Sequence, residues 1–258
     1  MPLNGTPNRF KADIAAGRPQ IGLWSSLAAP VVTEVVAGAG FDWFVVDTEH
    51  SPNELTDVLV HLQVAAAFPT EAVVRVPIFD PVVMKRYLDI GARTILVPMI
   101  EDEATAAAVV ASTRYPPHGI RGVSISQRAT RYGRVPGYQA HYTDDICLLL
   151  QIETRKGLAA IEDIAAVPGV DGLFIGPSDL SADLGHLGNA SHPDVQAAIK
   201  DAVDRCRAVG RPAGILAPVQ ADAQRYLEWG YTFVAVGSDL GVLTKGTDAL
   251  VATFKPKG

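Results

Sequence analysis

The stretch FDWFVVDTEHSP, Phe41 to Pro52, decides how the rest of the chain is read. Trp43 to Val46 are apolar at every position, with no alternation between an oily and a polar side. A strand covered on one face alternates; a strand covered on both faces does not. The run therefore predicts a buried parallel strand. It ends abruptly on Asp47, Glu49 and His50. A buried strand that opens onto such a cluster is either capped there for local reasons or delivers chemistry there.

Seven further runs share the pattern: IGLWSS (21–26), AVVRV (72–76), TILVP (94–98), ICLLLQIE (146–153), GLFIG (172–176), PAGIL (212–216) and TFVAVG (232–237). Helical stretches such as ATAAAVVAS and VQAAIKDAVDRCRAVG lie between them, and Gly40, Gly91, Gly169, Gly210 and Gly230 read as helix stops. Eight strand–helix units in 258 residues predict a (β/α)8 TIM barrel, one domain over 1–258. A doubly wound open sheet would show fewer strands and a Gly-rich loop after the first. Here the first strand runs into LWSSLAAP instead.

Composition narrows the function classes. At 48% hydrophobic and 19% charged, the chain can bury a large core. A net charge of −6 argues against a general nucleic-acid binder. No run approaches the ~18 apolar residues of a membrane span. The N-terminal MPLNGTPNRFKADIAAG has no apolar signal-peptide core. Cys147 and Cys206 suggest neither a disulfide framework nor a zinc site, so a cytoplasmic location is expected.

One segment breaks the rhythm. The loop at 114–143, between the fourth and fifth strands, carries Arg114, Arg121, Arg128, Arg131 and Arg134 and no acidic residue. It reads as a solvated basic loop, or as an active-site cover or subunit contact that attracts an anionic substrate.

Active sites of such barrels sit at the C-terminal ends of the strands. The first strand brings Trp24 there, the second Asp47, Glu49 and His50, and the third Arg75. The fifth brings Gln151 and Glu153, the sixth leads to Ser178 and Asp179, and the seventh ends at Leu216. Glu153 and Asp179 follow neighbouring strands, and two facing carboxylates need a cation or a shared proton. Oxygen ligands suit Mg²⁺, Mn²⁺ or a similar ion better than a closed zinc cage. Helix N-caps are the bland alternative for both. The GPSD turn offers free amides of Ser178 and Asp179 to a carboxylate or phosphate. VGSDLG after the last strand could hold a phosphate, or Ser238 could simply be an N-cap. Arg75 either pairs with Asp47 or presents a fork to a carboxylate or developing oxyanion. His50 is the natural general base. None of the seven lysines lies inside an apolar strand, which favours metal-assisted enolate chemistry over an imine.

These motifs together (GLWSSLAAP, FDWFVVDTEHSPN, VVRVP, YLDIGARTILVPMI, YPPHGIRGVS, QIET, DGLFIGPSDLSADLG and FVAVGSD) resemble the HpcH/HpaI family of pyruvate-dependent class II aldolases, of the 4-hydroxy-2-oxoheptanedioate aldolase type. The resemblance spans about Ile21 to Leu243. It implies a barrel assembled as a hexamer, with the last helix exchanged between subunits. It implies reversible cleavage of 4-hydroxy-2-oxo acids to pyruvate and an aldehyde through a metal-bound pyruvate enolate. By matching position, Glu153 and Asp179 would hold Mg²⁺, Mn²⁺ or Co²⁺, which pyruvate would chelate. The amides of Ser178 and Asp179 would bind the pyruvate carboxylate, and Arg75, with Gln151 nearby, would steady the enolate oxygen. His50, paired with Asp89 of YLDIG, would be the base, with Asp47 in support. Trp24 and Leu216 join the substrate-binding candidates. Several relatives read DGEH and RGVG where this chain has Thr48 and Ser124. Two rivals stand beside this reading: a citramalyl- or malyl-thioester lyase of the same superfamily, and a non-catalytic anion-binding barrel.

Overall fold

The computed structural model describes residues 7–255; residues 1–6 and 256–258 lie outside it. The outer limits of the expected domain and the start of the segment read against a signal peptide fall there. The strands are β1 (Gln20–Ser25), β2 (Trp43–Asp47), β3 (Glu71–Arg75), β4 (Thr94–Val97), β5 (Cys147–Ile152), β6 (Gly172–Ile175), β7 (Ala213–Leu216) and β8 (Phe233–Ser238). The helices are α1 (Arg9–Ala15), α2 (Pro30–Gly38), α3 (Leu55–Ala65), α4 (Pro81–Asp89), α5 (Glu103–Thr113), α6 (Tyr138–Asp145), α7 (Arg155–Ala159), α8 (Ile161–Ala166), α9 (Pro177–Asp183), α10 (Pro193–Ala208), α11 (Gln220–Trp229) and α12 (Asp239–Phe254). The strands pair in parallel in sequence order, and β8 returns to β1 to close the barrel. The eight apolar runs are these eight strands, with ends displaced by a residue or so.

Both faces of each strand are apolar, yet the faces differ. Trp43, Val45, Val73, Cys147, Leu149 and Phe174 belong to the cluster inside the barrel. Phe44, Val46, Val74, Leu148 and Leu150 belong to the larger cluster beneath the helices. Side chains alternate with period two along a strand. Counting on from Val45, Val73 and Leu149 therefore puts Asp47, Arg75, Gln151 and Glu153 on the inner face at the C-terminal mouth. The β2–β3 register sets Asp47 directly beside Arg75. At the other end, Phe10 and Ile14 of α1 plug the barrel; the Phe10 ring lies 5.6 Å from those of both Trp43 and Phe233.

Two features depart from an even alternation of strand and helix. The arginine-bearing loop follows α5, which runs back from the mouth, so it lies at the N-terminal end of the barrel and cannot cover the mouth of its own chain. Its arginines are not a solvated patch. Arg121 is fully buried over the Tyr115 ring and donates to Asp89 Oδ1 (2.8 Å). Arg128 donates to the Ile90 (2.9 Å) and Leu62 (3.3 Å) carbonyls, and only Arg131 and Arg134 are exposed. The second departure is α12. In a barrel of this kind the last helix should cover β8 and β1. Here every residue from Val242 to Phe254 is exposed, including Leu243, Leu250, Val251 and Phe254. Among the described residues no helix is long and apolar enough to cross a membrane.

Candidate active site

Asp47 is the knot of the mouth. Its side chain is 2% exposed and takes a fork from Arg75: Nε to Oδ1 at 2.9 Å and Nη2 to Oδ2 at 2.8 Å. Trp24 Nε1 donates to Oδ2 (3.2 Å), and the Arg75 guanidinium stacks 4.7 Å from the Trp24 ring centroid. Burial alone would raise the Asp47 carboxyl; the Arg75 hydrogen bonds and charge outweigh it and hold the group below its ordinary value. The Asp47 carboxylate also accepts the backbone N–H of Glu49 (3.0 Å) and of His50 (3.4 Å), which curls the DTEH turn over it. Arg75 is thus the structural partner of Asp47, as one of its two sequence readings holds. Its third nitrogen, Nη1, lies 2.7 Å from Glu49 Oε2, close enough for an ion contact but not aligned as a hydrogen bond. Of five guanidinium N–H groups, two serve Asp47 and one faces Glu49, leaving two for a substrate oxygen.

Glu153 is the second buried carboxylate, 2% exposed. The Met99 amide donates to Oε1 (2.9 Å) and Gln151 Nε2 to Oε2 (2.5 Å). Met99 takes a left-handed backbone (φ 57°), a conformation unusual for its side chain, and that turn holds the donor of this bond. Burial pushes the Glu153 carboxyl up to about 7 against these two bonds, and the charges of Asp179 and Glu49 add to the rise. The Glu49 carboxyl is likewise raised, first by burial, with Arg75 and His50 opposing and Asp47 and Asp179 adding. Gly176 makes room for this arrangement. A Cβ there would sit 2.5 Å from Glu153 Oε2 and 2.9 Å from Glu153 Cβ. Asp179 stands exposed in the first turn of α9, whose N-terminus has no side-chain cap.

Three carboxylates, Glu49, Glu153 and Asp179, therefore share one mouth in which the Arg75 cation is largely committed to Asp47. Gln151 Oε1 is buried without a hydrogen-bond partner, a further oxygen donor at the same place. Hard oxygen donors with excess negative charge fit a divalent cation.

The other predicted positions divide. Trp24 and Leu216 join the inner cluster beneath the mouth. His50 is exposed, and its Nε2 lies 4.0 Å from Glu49 Oε1. The expected His50–Asp89 pair is not formed within the chain. Asp89 ends α4, near the opposite end of the barrel, where Arg121 holds it. A side chain at a helix C-terminus before β4 cannot reach one at the C-terminal end of β2. At VGSDLG the structure forms the plain N-cap that was one of the two readings. Ser238 caps Gly241, and the Asp239 carboxylate takes Ser25 Oγ (2.8 Å) and the Ser26 and Leu27 amides (3.0 Å each to the nearer oxygen). Thr48 points its hydroxyl at the Arg75 carbonyl (2.6 Å), so this departure from DGEH braces β3. Among the described residues no strand carries a lysine, and Lys156 is at the surface with Asp102 and Glu101. Glu49 was visible at the rim but had no assigned role; its contact with Arg75 needs the turn geometry. The Met99 amide left no signal in the sequence.

A second cluster, His186, His192 and Asp194, lies where α9 passes to α10. The imidazoles stack with centroids 3.5 Å apart and planes 14° apart, and His192 Nδ1 accepts the Asp194 amide (3.2 Å). Ring lone pairs lie in the ring planes, so two stacked rings direct them side by side rather than to one ion.

Comparison with known proteins agrees with this geometry. The family model for HpcH/HpaI aldolase/citrate lyase matches residues 20–245. The 5-keto-4-deoxy-D-glucarate aldolase of Salmonella arizonae is 55% identical over 249 residues, 96% of this chain and 97% of that one. A solved HpcH/HpaI aldolase/citrate lyase family protein from Burkholderia cenocepacia superposes with a TM-score of 0.93 at 39% identity, covering 96% of this chain and 99% of its own. The HpcH/HpaI aldolase of Desulfitobacterium hafniense gives 0.89 at 30%, covering 96% and 97%. The carboxylate-lined mouth and these likenesses over nearly the whole length lead to one conclusion: the chain belongs to the HpcH/HpaI aldolase/citrate lyase family and is a class II aldolase, a carbon–carbon lyase.

Proposed function

We propose that the protein cleaves a 4-hydroxy-2-oxo diacid to pyruvate and an aldehyde, reversibly and with a divalent metal ion. The juxtaposition of buried Glu153 with Asp179 and Glu49, beside a forked arginine, carries this reading. The substrate named for the 55% identical relative supports the class. Numbered from its keto end, 5-keto-4-deoxy-D-glucarate has a carboxylate at C1, a ketone at C2, a methylene at C3 and a hydroxyl at C4. Breaking C3–C4 yields pyruvate and 2-hydroxy-3-oxopropanoate.

Glu153 and Asp179 are the residues that would hold Mg²⁺, Mn²⁺ or Co²⁺. When bound, the ion supplies a Lewis acid against the developing enolate charge. The rest is done by the chain's own groups. The uncapped amides of Ser178 and Asp179 bind the substrate carboxylate. Trp24 and Leu216 wall the reacting carbons, with Gln151 beside them. The two free N–H groups of Arg75 stabilise negative charge on the ketone oxygen, while Asp47 keeps the guanidinium in place. His50 takes the C4 hydroxyl proton; the C3–C4 pair passes to C3, the aldehyde departs, and C3 takes a proton to give pyruvate. An Asp89 partner for His50 would have to come from a second subunit.

The exposed apolar face of α12 and the loop at the far end of the barrel with exposed Ile120, Val123 and Ile125 support a homo-oligomer, a hexamer with α12 exchanged. The deciding experiment is a pyruvate-release assay on a panel of 4-hydroxy-2-oxo acids that includes 5-keto-4-deoxy-D-glucarate. It is run with excess chelator and again with Mg²⁺, Mn²⁺ or Co²⁺ restored. Release only with metal, and borohydride failing to trap a pyruvate adduct, is the expected result. Full activity in chelator, or turnover of a citramalyl or malyl thioester alone, overturns the proposal.

A further inference from the structure

Behind the DTEH turn runs a buried chain of hydrogen bonds that the proposed mechanism does not use. Asn53 Nδ2 donates to the Asp47 carbonyl (2.8 Å) and to Ser51 Oγ (2.9 Å). Asn53 Oδ1 lies 2.9 Å from His61 Nε2, and His61 Nδ1 lies 2.5 Å from Thr33 Oγ1. Thr33, Asn53 and His61 are 0%, 4% and 1% exposed. The chain ties α2 and α3 to the turn at the end of β2.

Its proton positions follow from valence. Only the amide nitrogen of Asn53 can donate to two oxygens, so Oδ1 must face His61 and can only accept. His61 Nε2 therefore carries hydrogen. Nδ1 is then the acceptor, and the Thr33 hydroxyl donates to it. His61 is the neutral Nε2–H tautomer, and burial, which lowers its pKa against the charges of Asp57 and Asp239, keeps it so. Every polar atom of the Asn53 and His61 side chains is thus committed in one arrangement. Asp47 is gripped from two sides: its carboxylate by Arg75 and Trp24, its carbonyl by Asn53 and Ser51. The peptides that carry Glu49 and His50 hang between these grips.

We infer that Asn53 and His61 are positioning residues: neutral His61 orients the Asn53 amide, which fixes the Asp47 carbonyl and so the placement of Glu49 and His50 over the substrate. The inference rests on the aldolase reading given above. Outer hydrogen-bonding partners of a reactive centre typically contribute 10–100-fold.

The test compares Asn53→Ala, His61→Leu and His61→Gln, the last of which keeps an N–H near the Nε2 position. Pyruvate release and deuterium exchange at the pyruvate methyl are measured with saturating Mn²⁺, alongside KM, Mn²⁺ affinity and melting temperature. The expected result is a fall of about 10–100-fold in kcat and exchange for Asn53→Ala and His61→Leu. KM and Mn²⁺ affinity should stay within a few fold, because Glu153, Asp179 and the α9 amides are untouched. His61→Gln should recover most of the loss. Near-native kcat in Asn53→Ala overturns the inference. So does a loss that follows melting temperature across all three variants, since the network would then serve folding alone. Failure of the aldolase reading itself shows separately, as absence of pyruvate release and methyl exchange in the unaltered protein.

Discussion

Replacing Gly176 with alanine should weaken divalent-metal binding while leaving the barrel folded. The new Cβ would lie 2.5 Å from Glu153 Oε2, where ordinary contact begins at 3.4 Å, so that oxygen must retreat by about 0.9 Å. Simple withdrawal of the side chain is blocked, because Glu153 Cβ lies only 2.9 Å away and Gln151 Nε2 3.0 Å. Metal–ligand distances hold to roughly 0.2 Å, several times less than the forced displacement. A loss of about 10–100-fold in Mn²⁺ affinity, about 1.4–2.7 kcal/mol, follows. Stability should fall by at most about 2.6 kcal/mol. The Gly176 backbone (φ −94°) is open to alanine. Its smaller unfolded-state entropy, about 0.4–1 kcal/mol, offsets part of an overpacking cost of about 1–3 kcal/mol. Calorimetric titration with Mn²⁺, beside a thermal melt, reads both quantities. Gly237→Ala is the control, since its Cβ would meet only Leu23 Cδ1 at an ordinary 3.6 Å. Mn²⁺ affinity within threefold of the unaltered protein, in a Gly176→Ala variant with an intact melt, would refute Glu153 as a ligand.

Arg75→Lys should lose about 10²–10³ in pyruvate release, because one ammonium cannot keep the fork on Asp47 and also serve the ketone oxygen. Turnover near the unaltered level would confine Arg75 to a structural role. His50→Ala should lose methyl exchange and cleavage together, by about 10²–10⁴. Its Mn²⁺ and pyruvate affinity should hold, and exchange at the unaltered rate would remove His50 as the base. Light scattering at micromolar concentration should show a hexamer, and polar substitution of Leu243, Val251 and Phe254 should break it into smaller species. A monomeric unaltered chain would contradict the assembly.

Much of the protein could be read from its sequence because the information is local. Eight short runs, apolar without alternation up to the polar residues near their ends, read as strands covered on both sides, and their number and spacing favour a closed barrel. The polar residues that end those runs necessarily gather at one rim, so Asp47, Arg75, Gln151 and Glu153 were legible as a set. What each does there was not, because the pleat's parity and the register between strands appear only when the sheet closes. Register sets Arg75 on Asp47 and leaves it few N–H groups to spare. A left-handed turn at Met99 and the missing Cβ of Gly176 shape the seat of Glu153. Connection decided the rest. A helix after each strand returns the chain to the far end of the barrel, which carries Asp89 and the arginine loop away from His50. The same rule, applied to α12, predicts a helix packed on β8 and β1; only the tertiary structure shows an apolar helix facing outward, because its burial is not settled by its own sequence pattern but by what surface stands next to it.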